Sequence, residues 1–167
     1  MMVGNSAIIS DCELFRYELS RVWSDEGPLG CVIMVNPSTA DADDDDATIR
    51  KLKGFATLAG WGGFIVVNKF AYRATDVNAL NTIDDPTGPF NSGHVAAAMI
   101  KCDVAVVAWG SLGKLPLRLR GQWRNIVRIA DAMEKPLHCW ATCQDGHPRH
   151  PVMLGYDKPL KLWSAPQ

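Results

Sequence analysis

Four short, largely apolar runs, each stopped by a polar turn, constrain this chain more than any single residue does. They are Cys31-Val32-Ile33-Met34-Val35, Phe64-Ile65-Val66-Val67, Val104-Ala105-Val106-Val107-Ala108-Trp109 and Leu137-His138-Cys139-Trp140-Ala141. Runs of this length bounded by turn formers read as buried strands. Asn36-Pro37-Ser38-Thr39 closes the first. Pro37 has no N–H for a sheet ladder and pushes Asn36 out of helical geometry, so Asn36, Ser38 and Thr39 fall on the loop beyond the strand. Asn68 closes the second run, Gly110-Ser111 the third, and the loop from Gln144 to Pro151 the fourth.

Helical patterns separate the strands. Over residues 46–59, Ile49, Leu52, Phe55, Ala56 and Ala59 recur at helical spacing, and Gly60 with Gly62-Gly63 stops the run. Residues 94–101 form a modest Ala-rich helix. Residues 115–133 turn Leu119, Trp123, Ile126, Val127 and Ala130 inward and Arg118, Arg120, Arg124 and Arg128 outward. A strand, a helix and a strand in that order imply a right-handed parallel crossover. The expectation is an α/β fold: a three-layer α/β/α sandwich around a mainly parallel central sheet, as one domain over residues 1–167.

The flanks are less regular. Residues 14–23 alternate, with Phe15, Tyr17 and Leu19 facing one way and Arg16, Glu18 and Ser20 the other, as in a half-buried strand. The turn chemistry of Ser24-Asp25-Glu26-Gly27-Pro28 pairs it antiparallel with the 30–35 strand as a hairpin. Residues 81–91 read as a long loop. Leu160, Leu162 and Trp163 pack the tail against the sheet.

Composition removes several classes of partner. A formal net charge of -1 gives no bulk field toward nucleic acid or an anionic membrane. No apolar run approaches the roughly 20 residues of a membrane helix, and the first residues lack the regions of a signal peptide. Five cysteines without a CxxC pair read as reduced thiols in a cytoplasmic protein.

In a parallel sheet the loops after the strands crowd one edge, where ligands bind. That predicts one cleft lined by Asn36, Ser38, Asn68, Phe70, Ser111, His147 and Arg149. His147 follows Gly146 and precedes Pro148, which aims it into the cleft and leaves Arg149 and His150 at the rim. The same residues also have plain readings: Asn36 and Asn68 as loop caps, Phe70 as core, His147 as a turn residue. Two groups have metal-ligand chemistry. Asp41, Asp43, Asp44, Asp45 and Asp46 suit Mg²⁺ and phosphoryl transfer. They equally suit the positive end of the following helix, and no Gly-Lys-Ser/Thr phosphate loop accompanies them. Cys139, Cys143, His147 and His150 have zinc-ligand types, although Cys139 falls within a strand. The expectation is that neither holds a metal and that no cofactor is needed.

The chain resembles the DUF1643 family. The resemblance is carried by Asn36-Pro37-Ser38-Thr39-Ala40-Asp41, Val67-Asn68-Lys69-Phe70-Ala71-Tyr72-Arg73-Ala74-Thr75-Asp76, Ala108-Trp109-Gly110 and Asp145-Gly146-His147-Pro148-Arg149-His150-Pro151. More distantly it is similar to the uracil-DNA glycosylase superfamily in motif order. Asn36-Pro37 looks like that superfamily's water-handling loop, Asn68 like its base-reading Asn, Trp109-Gly110-Ser111 like its later strand end, and His147-Pro148 like its last motif. This sequence departs from it in having no Gly-Gln before Asn36, no Tyr after Pro37, and Arg149-His150 inside the last motif.

The resemblance implies a uracil-DNA-glycosylase-like fold. It also implies a nucleobase, nucleotide or DNA as partner and hydrolysis of an N-glycosidic bond. Asn36 would position water and His147 would donate to the base oxyanion. Asn68 would read the base edge and Phe70 would stack on its face. Ser38, Ser111 and Arg149 would make further substrate contacts. The alternatives are a metal-dependent phosphate-processing enzyme using Asp41–Asp46, and a binding module that holds a modified base without chemistry.

Overall fold

The computed structural model describes residues 3–38 and 40–167; Thr39 of the first loop lies outside them. Ten elements make the frame. They are β1 (Gly4–Ile9), β2 (Arg16–Val22), β3 (Leu29–Met34), α1 (Ala47–Leu58), β4 (Gly63–Asn68), α2 (Asn91–Lys101), β5 (Val104–Val107), α3 (Trp123–Ala132), β6 (Leu137–Cys139) and β7 (Lys161–Leu162). The strands form one seven-stranded mixed sheet in the order β1-β2-β4-β3-β5-β6-β7. Strands β4, β3, β5 and β6 are mutually parallel. Strands β1 and β2 run antiparallel at one side and β7 at the other.

The apolar runs explain this centre. Alternate residues of a strand face opposite sides, and here both sides are covered. Val32, Met34, Val66 and Val106 pack with Ile49, Leu52, Phe55 and Ala56 of α1. Cys31, Ile33, Val67 and Val107 pack with Val95 and Met99 of α2 and Trp123, Ile126 and Ala130 of α3. From β3 the chain passes to β4 on one side, then crosses to β5 on the other. Between β3 and β5 the strand order therefore reverses.

Four expectations are corrected. Strand β2 does not form a hairpin with β3; it pairs with β4, as Leu19 opposite Val66 and Val22 opposite Gly63. Both edges of β3 are taken by parallel neighbours, so this apolar strand holds the centre and the more polar β2 lies outside it. Nor is β2 half-buried: Arg16, Glu18 and Arg21 are all buried. Glu18 accepts a hydrogen bond from His94 Nδ1 at 2.7 Å, with Lys101 3.8 Å away. The strict alternation also fails. Ile8 pairs with Glu18 and Ile9 with Arg16, so a bulge leaves Tyr17 over. A bulge re-aims a side chain, and Arg16 reaches the Ala40 carbonyl on the α1 side instead of facing away with Glu18. Residues 115–133 are not one helix either. Leu117–Gln122 is a 3-10 turn before α3, begun by the Leu119 N–H bond to the Pro116 carbonyl.

The acidic run has a structural occupation. Arg21 is fully buried and its guanidinium donates to Asp45 Oδ1 at 2.7 Å and to the carbonyls of Ser20, Asp41 and Asp44. Lys53 holds the other oxygen of Asp45. Asp41 accepts from the N–H groups of Asp43 and Asp44. Asp46 caps α1 by accepting from the Ile49 N–H at 2.8 Å. The acids wrap a buried cation and start a helix. Among the described residues no helix is long and apolar enough to cross a membrane. Arg21→Met should lower unfolding stability by roughly 3–5 kcal/mol, the usual cost of breaking a buried charged network. Asp45→Asn should have a smaller effect, because the carbonyls of Asp41 and Asp44 still meet the guanidinium. Urea unfolding of the three proteins checks both.

Candidate functional site

A cavity of about 520 Å³ opens beyond the carboxyl ends of β3, β4 and β5. Its place is the switch point of the parallel strands, where open α/β sheets bind ligands, and its volume suits a small molecule. Asn36 and Ser38 line it from the β3 loop, Asn68 from the end of β4, and Trp109, Gly110 and Ser111 from the β5 loop. Cys143, Arg149 and His150 come from the β6 loop, Asp46 and Thr48 from the start of α1, and Arg16 from the bulge of β2.

The walls are fastened to one another. Asn36 Nδ2 donates to the carbonyls of Pro37 (3.1 Å) and Ala74 (2.7 Å), and the Ala74 N–H returns a bond to the Pro37 carbonyl. That fixes the amide, and among the described residues no donor meets its oxygen. Ser38 donates to Asp46 Oδ2. Ser111 donates to Asp145 Oδ2 at 2.7 Å, while Asp145 Oδ1 accepts from the His147 N–H at 3.1 Å. Gly110 has φ +80°, and its N–H bonds to the Pro148 carbonyl at 2.8 Å. A side chain there would meet little, so the left-handed backbone is what calls for glycine.

Asn68 differs from these. It is only 2% exposed, and among the described residues its Nδ2 has no hydrogen-bond partner. The Asn68 carbonyl is held by Asn91 Nδ2 at 2.9 Å, which fixes the backbone; the residue lines the cavity, with Nδ2 itself shielded from solvent. Buried donors are rarely left unmade, since each costs about 1–3 kcal/mol. Arg16 is the second case: 3% exposed, with Nε unpartnered. Burial, ahead of the charges of Arg73 and Arg21, lowers its pKa to about 10, and it remains cationic at neutral pH.

The two histidines exchange their expected places. His147 is 4% exposed and does not line the cavity. It sits among Trp109, Trp123 and Trp163, with ring centroids 6.3, 5.1 and 6.4 Å away. Its Nδ1 accepts from Trp109 Nε1 at 3.3 Å. Trp109 therefore stands between His147 and the cavity. Burial lowers the His147 pKa, so the ring is neutral at pH 7. A second, more open groove touches His147, Trp123, Arg124 and Asp145 instead. His150 does line the cavity. Its Nδ1 accepts from the Val152 N–H at 3.3 Å, so the neutral ring carries its proton on Nε2. Burial, then Lys114, keeps it neutral by lowering its pKa. Phe70 is also displaced: it packs in a core with Leu80, Leu115 and Leu119, and no face is open for stacking. Of the seven residues expected in one cleft, Asn36, Ser38, Asn68, Ser111 and Arg149 meet there.

Sequence reading missed Arg16, Asp46 and Lys114 as cavity residues. Arg16 was hidden by the bulge, and Asp46 by its place in a run of acids. Lys69 was also missed, although a cation directly after a buried strand is itself a signal. Lys69 is fully buried with no partner for Nζ, 5.2 Å from the Trp109 ring centroid. Burial pushes its amine down to about 7.

Among the described residues no three His, Cys, Asp or Glu side chains converge as a metal site requires. Cys139 is buried in the core and Cys143 lies at the cavity, so the zinc-like set is dispersed. All five cysteines are free.

The fold and site define an α/β protein with a ligand-sized cavity at the switch point of a mixed sheet. The family model described as "Protein of unknown function (DUF1643)" matches residues 16–152. The chain belongs to that family. No curated protein and no solved structure is found to match it.

His147→Ala should act on stability, lowering it by about 2–4 kcal/mol, because it empties an aromatic box and orphans Trp109 Nε1. Chemical denaturation followed by Trp fluorescence checks this. Lys69 gives a pH signature. The unfolded chain keeps its proton up to 10.5 and the folded protein only to about 7. Between those values the unfolded state binds more protons, so stability rises with pH. Lys69→Met should remove that rise and stabilise the protein at pH 7 by roughly a few kcal/mol. Melting temperatures from pH 6 to 10 test it.

Proposed function

We propose that the protein recognises a nucleobase or nucleotide in this cavity, in the manner of the uracil-DNA glycosylase superfamily, and hydrolyses an N-glycosidic bond. The fold that goes with this reading is a uracil-DNA-glycosylase-like three-layer sandwich. Helices on both faces of the sheet support it. The observation that carries the function is the unpartnered Asn68 amide at the end of β4. An amide that donates and accepts is suited to the Watson–Crick edge of a base. Arg16, Lys114 and Arg149 around the same cavity suit a ligand with negative charge.

The chemistry follows from what remains. Breaking a base–sugar bond develops positive charge on the sugar and negative charge on the base. His150, with its proton on Nε2, donates to the departing base, the role first expected of His147. Asn36 offers its free oxygen to the attacking water but cannot take the proton. Asp46 is the carboxylate in the cavity that can, and its negative charge also favours the cationic sugar. The metal-dependent phosphate-processing reading has less support. Asp45 is held by Arg21 and Lys53, and Asp41 by backbone N–H groups.

Isothermal titration with bases, nucleosides and nucleotides tests the binding reading. Wild type should bind one base class, and Asn68→Ala should weaken that binding by about tenfold or more. Asn68→Asp, which replaces a donor by an acceptor, should change the preferred base. Equal affinity in wild type and Asn68→Ala would overturn the reading. On any nucleoside or oligonucleotide from which wild type releases a base, His150→Ala should slow release by about 10²–10³-fold. Chromatographic quantification of free base measures it.

A further inference from the structure

We propose that the cavity holds a terminal phosphate against Arg16 and the N-terminus of α1, so that its ligand is a nucleoside monophosphate. This rests on the nucleobase reading of the same cavity and adds the chemical class of the ligand.

Arg16 carries most of the argument. A buried cation without a direct ion-pair partner is expensive, and among the described residues Arg16 belongs to no salt bridge, although the nearby Asp46 carboxylate favours its charged form. One of its terminal nitrogens is held by the Ala40 carbonyl, and Nε is left without a partner. The β2 bulge brings this side chain to the cavity; unbroken alternation would have sent it away with Glu18. The nearby Arg21 is the contrast. It is equally buried, but its guanidinium is surrounded by Asp45 and carbonyls. Among the described residues, Arg21 is satisfied by the protein and Arg16 keeps a donor without an acceptor.

The second observation is independent. α1 has 12 residues, and its first turn supplies Thr48 and Ile49 to the cavity wall. Its first intrahelical bond runs from the Arg50 N–H to the Asp46 carbonyl at 3.0 Å. Asp46 caps the Ile49 N–H, which leaves the N–H groups of Ala47 and Thr48 outside the ladder. A helix start with free N–H groups attracts oxyanions. Asp46 opposes an anion; the Ile49 N–H and the Ser38 hydroxyl offset part of its charge without removing it. Three cationic side chains face this one carboxylate around the cavity.

Burial selects the kind of phosphate. Arg149 and Lys114 are exposed, and water satisfies them without a ligand. Arg16 is 3% exposed. A phosphate within a polynucleotide would need an exit for the next sugar past this side chain, whereas a terminal phosphate needs none. Its fork also matches two phosphate oxygens at once.

Titration calorimetry with inorganic phosphate, nucleosides, their 5′-monophosphates and a short oligonucleotide is the test. Wild type should bind one monophosphate about tenfold or more tightly than its nucleoside. Arg16→Gln should erase that difference while leaving nucleoside affinity in place, and Arg149→Gln should keep most of it. Because Arg16→Gln alters a buried charge, Arg16→Lys and Ala47→Pro are measured as well; proline fits the first helical position and removes one of the free N–H groups. Each should reduce the monophosphate preference severalfold, with far-UV circular dichroism unchanged. The phosphate site is overturned if monophosphate and nucleoside bind equally, if the preference survives in all three cavity variants, or if the oligonucleotide binds more tightly than the monophosphate. Nucleoside binding that depends on Asn68 but gains nothing from phosphate removes this site and leaves the nucleobase reading intact. Inorganic phosphate binding that depends on Arg16, without any nucleoside binding, does the reverse. Binding of none of the probes removes both.

Discussion

The buried guanidinium of Arg21 is the constraint on which the cavity depends. It lies on a strand near the side of the sheet, yet it gathers Asp45 and the carbonyls of Asp41 and Asp44 from a loop about 20 residues further along. That grip fixes where the loop after β3 turns and where α1 begins. Asp46 is then placed to cap the helix and to take the Ser38 hydroxyl. One wall of the cavity is thus set by a charge network whose members do not themselves face it. A buried cation tolerates few arrangements of its partners, and this gives the loop one conformation despite its consecutive acids.

The other walls are joined by backbone bonds between loops. The N–H groups of Lys69 and Phe70 bond to the carbonyls of Met34 and Val35, carrying the β3–β4 pairing past the strand ends. Asp145 bridges the β5 and β6 loops through Ser111, Leu112 and His147. Chain reversal between β3 and β5 leaves a gap between their loops, and these bonds give it firm sides. A preformed, rigid cavity is the arrangement in which a few fixed polar groups can select a ligand.

Satisfaction of hydrogen bonds separates the frame from the groups left unpaired beside the cavity. Asn36, Ser38, Ser111 and His147 all have partners within the protein. Asn68 and Arg16 are more deeply buried than Asn36, Ser38 and Ser111, line the cavity and, among the described residues, keep donors unmade. Lys69 is buried and unpartnered too, but it lies against Trp109 outside the cavity, and its low pKa lets it discard its charge. Three buried polar groups therefore carry the same penalty: burial lowers the Lys69 pKa toward neutralisation, while Asn68 and Arg16 keep unmade donors beside the cavity.

The sequence by itself determined the centre of this protein. Apolar runs of strand length, each ended by Asn, Gly or Pro and separated by helical patterns, leave little choice but parallel strands with their loops on one edge. Asn36, Ser38, Asn68, Ser111 and Arg149 were legible for that reason, since each directly follows such a run or its loop. Hydrophobic period is a local property, and local properties survive in one dimension. Tertiary structure decided what depends on neighbours distant in the chain. It placed β2 beside β4, because β3 already had two partners. It turned Arg16 into the cavity through a bulge that one added residue creates. It exchanged His147 for His150, because three tryptophans from separate segments enclose the first. It also made the acidic run a wrapping for Arg21. Which side chain faces a ligand and which is spent on the frame is set by partners that no local pattern names.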